Sequence, residues 1–155
     1  MKYPILKMKK DLHIVCTGKA FTEEELTWQR VNQVEERFRI ISVDDSQLYD
    51  LYHYAEVFIY PSEYEGFGIP ILEAFASDCP VLLNRASCFP EIAGKAAQYF
   101  TKRENKSDLS EVVLEMLEMQ NSRKQHMLSI QRERLKQYSW EKSAQHIENI
   151  YYSVV

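Results

Sequence analysis

The chain has 155 residues and a net charge of −4, with 19 Lys and Arg against 23 Asp and Glu. This balance excludes general nucleic-acid binding, which requires a basic surface. Apolar residues make up 45% of a chain of ordinary domain size, which favours a globular protein with its own core. No apolar run approaches the roughly 18 residues of a membrane span and no signal-like start is present, so we expect a cytoplasmic location.

The first two thirds of the sequence alternate strand-like and helix-like segments. Apolar, β-branched runs predict strands over residues 12–17, 38–42, 57–60, 80–84 and 98–100. Thr22 and Glu25 have capping-box spacing and predict a helix to about Arg37, while Ser46 is the expected cap of a short helix to about Tyr54. This alternation predicts an α/β, Rossmann-like fold with a parallel sheet covered by helices on both faces.

After Thr101 the sequence is predicted to be helical to its end, forming a helical C-terminal tail. Apolar residues recur there at helical spacing, which predicts faces that pack into the core. One stripe consists of Leu109, Val112, Val113, Met116 and Leu117, and the other of Trp140, Ala144, Ile147 and Tyr151.

Potential metal ligands and nucleophiles are scattered along the chain. The histidines are His13, His53, His126 and His146, and the cysteines are Cys16, Cys79 and Cys88. Neither set has the spacing of a metal site, so we predict no bound metal and read the cysteines as reduced thiols.

The segment from Val57 to Ala74 carries the main functional signal. Its predicted strand leads through Gly66 and Gly68, which allow positive φ, into a helix whose first turn accommodates Pro70. Free N–H groups and the positive dipole end at the start of this helix favour a phosphate or diphosphate. Glu65 and Glu73 can both face a crevice at the carboxyl end of the strand, where they would accept hydrogen bonds from sugar hydroxyls.

The run from Glu65 to Ala76 resembles the Glu, seven residues, Glu signature of retaining glycosyltransferases of family 4, the glycosyl transferases group 1 class with the GT-B fold. The resemblance covers about residues 12 to 153. Further matching segments, in chain order, are Leu51 to Ser62, Pro80 to Leu83, Pro90 to Gly94, Ala97 to Phe100 and Tyr138 to Lys142.

This resemblance implies that residues 1–155 form a single donor-binding, carboxyl-terminal domain, and that the amino-terminal acceptor domain is absent. Met1 to Lys10 resembles the segment just after a basic pair that neutralises the donor diphosphate in the family. The implied substrates are a UDP- or GDP-sugar and a glycan or lipid-linked acceptor, without a metal or other cofactor. Lipid-linked acceptors would bring the parent protein to the inner face of the membrane by peripheral association.

The resemblance also assigns roles to individual residues. Glu65 is the expected catalytic residue and would hold donor-sugar hydroxyls without acting as a nucleophile, while Glu73 would accept hydrogen bonds from the ribose. The remaining donor-binding candidates are Gly66, Phe67, Gly68 and Ile69, whose backbone would lie against the diphosphate and sugar. Val43 and Leu48 are candidates for contacts with the base, because their segment ends at the same predicted sheet edge.

Two functions follow from this reading. The first is the donor half of a hexosyltransferase used in polysaccharide or glycolipid synthesis, and we expect the isolated chain to be inactive because the acceptor wall is missing. The alternative is a stand-alone nucleotide-sugar-binding module or subunit that is not catalytic by itself.

Overall fold

The computed structural model describes residues 11–103 and 106–154, so the expectation for Met1 to Lys10 concerns a segment outside the described residues. The chain forms two compact units, which divide between Leu48 and Tyr49. Each unit pairs parallel strands with helices, and three helices form the end of the chain. These features confirm the predicted α/β class and the helical C-terminal tail.

The first unit contains strand β1 (Ile14–Thr17), helix α1 (Glu23–Asn32) and strand β2 (Phe38–Ile41). β1 and β2 pair in parallel. The Phe38 ring on β2 meets the Phe21 and Trp28 rings edge-on, with centroids 6.0 and 6.3 Å apart, so aromatic contacts hold α1 against this strand pair.

Helix α1 starts as predicted but ends earlier. The Glu25 N–H donates to Thr22 Oγ1 at 3.3 Å and the Thr22 N–H donates to Glu25 Oε2 at 2.8 Å, which confirms the capping box. The predicted extension to Arg37 is wrong, because Gln33 adopts left-handed backbone at φ 57°. A separate 3₁₀ turn then covers Glu35–Arg37.

Helix α2 (Asp45–Tyr54) also has a cap that differs from the prediction. Asp44 Oδ1 accepts a hydrogen bond from the Gln47 N–H at 2.9 Å, and Gln47 Oε1 accepts one from the Asp44 N–H at 3.1 Å. Ser46 lies inside the helix and donates its hydroxyl to Asp44, so assigning the cap to Ser46 was wrong. Asp44 and Gln47 form a reciprocal capping box, since both donors would otherwise lack an intrahelical partner.

The second unit is built around a three-stranded parallel sheet in the order β3 (Phe58–Tyr60), β4 (Val81–Asn84) and β5 (Gln98–Phe100). All four residues of the central strand β4 are buried. Because the strands are parallel, their carboxyl ends lie along one edge of the sheet. The loops that follow β3 and β4 are therefore neighbours.

The strands of this unit are followed by helices that include α3 (Ile69–Ala76), α4 (Phe89–Ala93), α5 (Leu109–Leu117) and α6 (Asn121–Leu135). Helix α3 buries Ile71 and Phe75 completely. Helix α6 packs against α3 and against the 3₁₀ turn after α4, where Gln131 Nε2 donates to the Ala96 carbonyl at 3.0 Å. The predicted α5 stripe is confirmed, since Val113 and Met116 are buried.

The segment after Thr101 is not entirely helical. Two short strands, β6 (Lys102–Arg103) and β7 (Lys106–Ser107), pair antiparallel before α5 begins. The expectation of continuous helix from Thr101 is therefore wrong over this stretch.

The last helix, α7 (Trp140–Ser153), corrects the expectation of a second packing face. Trp140 is 83% exposed, Ile147 54% and Tyr151 68%, and Ala144 is exposed as well. Helical spacing of apolar residues identifies an apolar helix face but not the element that packs against it. Among the described residues, nothing covers the apolar face of α7. In residues 11–103 and 106–154, no helix combines the length and apolar character required to cross a membrane.

An ion pair joins Asp78, which follows α3, to Arg132 on α6, with nitrogen–oxygen distances of 2.8 and 2.9 Å. Hydrogen bonds from Arg132 lower the pKa of the Asp78 carboxyl, so the pair stabilises the folded state at neutral pH. This contribution disappears as the pH falls through the lowered pKa. Asp78→Asn keeps a residue that tolerates the left-handed backbone at φ 54°, and we expect it to cost about 0.5 to 1 kcal/mol at pH 7.

Chemical denaturation of the wild type and Asp78→Asn, in steps downward from pH 7, tests this prediction. The difference in unfolding free energy should shrink as the Asp78 carboxyl becomes protonated. Glu133→Gln, which removes an exposed ion pair between the last turn of α6 and Lys136 just after it, is the control and should change stability less. A difference for Asp78→Asn that does not vary with pH would contradict the ionic origin.

Candidate functional site

The loop that joins β3 to α3, residues 61–68, contains most of the predicted site and is named the glycine loop here. It ends at Gly68, the N-cap of α3, whose φ of 92° confirms the predicted positive value. Gly66 is exposed and does not have positive φ, so the expectation for that glycine was wrong. Pro70 lies in the first turn of α3, as predicted.

Gly68 is buried because two side chains occupy the space beside it. A Cβ at this position would lie 3.1 Å from Ile71 Cδ1 and 3.2 Å from Phe89 Cε1. A Cβ at Gly66 would meet no atom within 4 Å. The requirement for glycine therefore differs between the two positions, although the sequence suggests the same role for both.

The start of α3 offers few backbone donors. Pro70 has no N–H, and the Ile71 N–H donates to the Gly68 carbonyl at 2.9 Å. No side chain caps this helix end within the described part of the chain. Pro70 and Ile71 therefore provide no free N–H at this end of α3, which leaves the N–H groups before them, including that of the exposed Ile69, as candidate donors to an anionic group.

Glu73 lies in the second turn of α3 and is half-buried. The hydroxyl of the buried Tyr52, on α2, donates to Glu73 Oε2 at 3.2 Å. Burial first, and then the charge of Glu73, raise the pKa of Tyr52, so its hydroxyl remains a proton donor at physiological pH. The arrangement fixes the Glu73 side chain and leaves its other oxygen lone pairs for a ligand.

Glu65, in the glycine loop, is also half-buried and interacts with a tyrosine. Burial and a side-chain hydrogen bond to Glu65 raise the pKa of Tyr60 to about 12. The charge of Glu73 contributes to the same shift, so both carboxylates lie within electrostatic range of one phenol. The structure thus brings together the two glutamates that the sequence singled out.

The loop after β4, residues 85–88, supports the backbone of the glycine loop and is named the β4 loop. The Glu65 N–H donates to Ser87 Oγ at 3.1 Å, and the Ser87 hydroxyl donates to the Glu65 carbonyl at 2.9 Å. Cys88 Sγ lies 3.2 Å from the Phe67 carbonyl oxygen. Sequence reasoning missed Ser87 and Cys88, because only the pairing of β3 with β4 brings the two loops together.

The other predicted site residues fall into two groups. Phe67 is 40% exposed, with its ring edge-on to Tyr138 at 5.7 Å between centroids, and Ile69 is 52% exposed. Val43 and Leu48 are half-buried residues of the first unit, and their contact with a base stays a prediction. Throughout residues 11–103 and 106–154, no three His, Cys, Asp or Glu side chains form a group that could hold a metal ion.

The structure combines parallel sheets, a glycine turn into α3 and two carboxylates with tyrosines close by, all within an α/β fold. The chain belongs to the glycosyl transferases group 1 family, whose model matches residues 3–147.

Similar proteins agree with this family. The chain is 36% identical over 99 residues to O-antigen chain mannosyltransferase B of Escherichia coli, covering 61% of the chain and 26% of the relative. It is 40% identical over 65 residues to O-antigen chain mannosyltransferase RfbU of Salmonella typhimurium, covering 42% and 18%. The chain therefore spans about a quarter of the first of these relatives and less of the second.

Solved structures share the fold. A glycosyltransferase from Rickettsia africae superposes with a TM-score of 0.77 at 17% identity, covering 96% of this chain and 41% of that one. The C-terminal domain of a glycosyl transferase group 1 family protein (LpcC) from Francisella tularensis gives 0.66 at 24% identity, covering 86% and 74%.

The two glycines provide a matched pair of substitutions. Gly68→Ala places a side chain in left-handed backbone and against Ile71 and Phe89, so we expect a loss of about 2 kcal/mol or more in unfolding free energy. Gly66→Ala enters open space without positive φ and should stay within about 0.5 kcal/mol of the wild type. Urea denaturation measures both, and equal losses would contradict the distinction.

Proposed function

We propose that this chain is the donor-binding domain of a retaining glycosyltransferase of family 4, which transfers a hexose from a UDP- or GDP-sugar to a glycan or lipid-linked acceptor. The observation that carries the proposal is the pair of carboxylates, Glu65 and Glu73, beside the start of α3 in a chain of this family. We propose mannose as the hexose, because the two O-antigen relatives are named mannosyltransferases.

The roles of the two carboxylates follow from their chemistry. A carboxylate accepts hydrogen bonds from hydroxyls and is repelled by a diphosphate, so both glutamates suit the sugar and ribose parts of the donor. Glu73, hydrogen-bonded to Tyr52, would accept the ribose hydroxyls, and Glu65 would accept those of the donor sugar. Both tyrosines remain protonated at physiological pH, so each can donate one hydrogen bond to its glutamate, and the remaining carboxylate lone pairs are left for the ligand.

The leaving group is the nucleoside diphosphate, on which negative charge develops as the glycosidic bond breaks. The N–H groups of Gly68 and Ile69 and the positive end of the α3 dipole would stabilise that charge without transferring a proton. In this proposal Glu65 holds the sugar while the departing phosphate helps to deprotonate the acceptor on the same face. The proposal requires no metal or other cofactor.

The proposed setting is the synthesis of a surface polysaccharide or glycolipid in the cytoplasm, with peripheral association of the parent protein at the inner face of the membrane. Calorimetric and thermal-shift titration with UDP, GDP, ADP and their sugars tests the donor class, because a ligand that binds the folded state raises its stability. Selective binding of UDP or GDP and its sugars supports the proposal. Binding of neither the UDP nor the GDP series, whether or not the ADP series binds, would overturn it.

Substitution of the two glutamates tests their separate roles. Glu73→Gln keeps the shape and a partner for Tyr52 but loses the charge, so we expect it to weaken binding of both the free nucleotide and the nucleotide sugar by about tenfold to a hundredfold. Glu65→Gln should leave the free nucleotide unaffected and weaken only the nucleotide sugar. Calorimetry on the folded variants measures each affinity.

Glu115→Gln is the matched control, because Glu115 is an exposed carboxylate on α5 outside the proposed site. It should change neither affinity. Equal weakening of both ligands by Glu65→Gln and Glu73→Gln would contradict the division between sugar and ribose.

A further inference from the structure

We propose that Ser87 is a positioning residue that sets the direction of the Glu65 side chain toward the donor sugar. The inference rests on the proposed function, because it concerns the same carboxylate. Its basis is that Ser87 Oγ accepts from the Glu65 N–H at 3.1 Å and donates to the Glu65 carbonyl at 2.9 Å.

These two hydrogen bonds act on both peptide groups that flank one residue. The Glu65 N–H belongs to the peptide before its Cα, and the Glu65 carbonyl belongs to the peptide after it. Two flanking peptide groups held by one hydroxyl restrict φ and ψ together, and these angles determine where the side chain leaves the backbone. Glu65 itself lies in a loop, where no ladder of backbone hydrogen bonds provides this restriction.

Neighbouring side chains attach the same loop at two further points. Cys88 Sγ lies 3.4 Å from the Glu65 carbonyl oxygen and 3.2 Å from that of Phe67. The buried Asn84, at the end of β4, donates from Nδ2 to the Ser62 carbonyl at 3.2 Å. The glycine loop is therefore built against the end of the buried central strand, and Ser87 is the member of this set that contacts both backbone groups of Glu65.

The left-handed backbone of Ser87 allows a pair of substitutions that separates positioning of Glu65 from a general effect on stability. Its φ of 53° is left-handed, a conformation that glycine adopts readily and other residues adopt rarely. Ser87→Gly removes the hydroxyl and relieves the backbone at once, whereas Ser87→Ala removes the hydroxyl and keeps the unfavourable φ. A residue that only stabilises the fold would make the glycine variant the milder one in binding as well as in stability.

The experiment compares wild type, Ser87→Gly and Ser87→Ala in two measurements. The first is hydrogen exchange at the Glu65 amide without ligand, which we expect to be about tenfold faster in both variants. The second is the ratio of affinities for the nucleotide sugar and the free nucleotide, measured by calorimetry with the UDP and GDP series. We expect this ratio to fall about tenfold in both variants, with little change for the free nucleotide.

Ser129→Ala is the control, because Ser129 is an exposed serine on α6 whose hydroxyl donates to the His126 carbonyl at 2.7 Å. It loses a similar hydrogen bond and should change neither measurement. An equal fall in the affinity ratio in Ser87→Gly and Ser87→Ala, despite the different stabilities of the two variants, supports the positioning role of Ser87.

Three results would overturn the inference. Unchanged exchange at Glu65 in both variants would show that Ser87 does not hold this backbone. Faster exchange with an unchanged affinity ratio would show that the hydrogen bonds between Ser87 and the Glu65 backbone do not affect binding of the donor sugar. A wild type that binds neither the UDP nor the GDP series would remove the proposed function and the positioning role with it, while the exchange data would still report on the contact itself.

Discussion

The candidate site depends on the contact between two loops at the carboxyl edge of the β3-β4-β5 sheet. Three consecutive residues, Ser87, Cys88 and Phe89, meet the glycine loop at Glu65, at Phe67 and at Gly68. Phe89 is fully buried and fills the space that a side chain at position 68 would need. The absence of a Cβ at Gly68 is therefore a packing requirement as well as a conformational one, and it lets the glycine loop turn into α3 at this residue.

The two glutamates show how carboxyl groups are kept available to a ligand in a partly buried place. Each has a tyrosine close by, and burial ensures that the tyrosine remains protonated. A neutral donor orients a carboxylate without forming an ion pair, so the charge remains to attract ligand hydroxyls. A lysine or arginine in place of Tyr52 would compete with those hydroxyls for the same oxygens.

The differences between prediction and structure have a common physical origin. The capping box of α1 and the turn at Gly68 are local features and were located correctly, whereas the cap of α2 was assigned to Ser46 although Asp44 provides it. The end of α1 was misplaced because Gln33 takes a left-handed backbone conformation, which the residue type glutamine does not predict. The sequence correctly predicted a helix with an apolar stripe at α7. Whether that stripe is buried depends on a packing partner, and helical periodicity gives no information about the partner.

The sequence by itself determined the α/β class, the order of the elements from β1 to β5 and the two glutamates eight positions apart, because propensity, capping and strand-to-helix turns act over a few residues. Tertiary structure alone decided that Tyr52 supports Glu73, that Ser87 holds Glu65 and that Gly68, unlike Gly66, has no room for a side chain. Those contacts join residues about 20 positions apart, except for the short packing contact with Ile71. The contacts of Ser87 and Phe89 with the glycine loop exist because β3 and β4 pair in parallel and bring the segments that follow them to one edge.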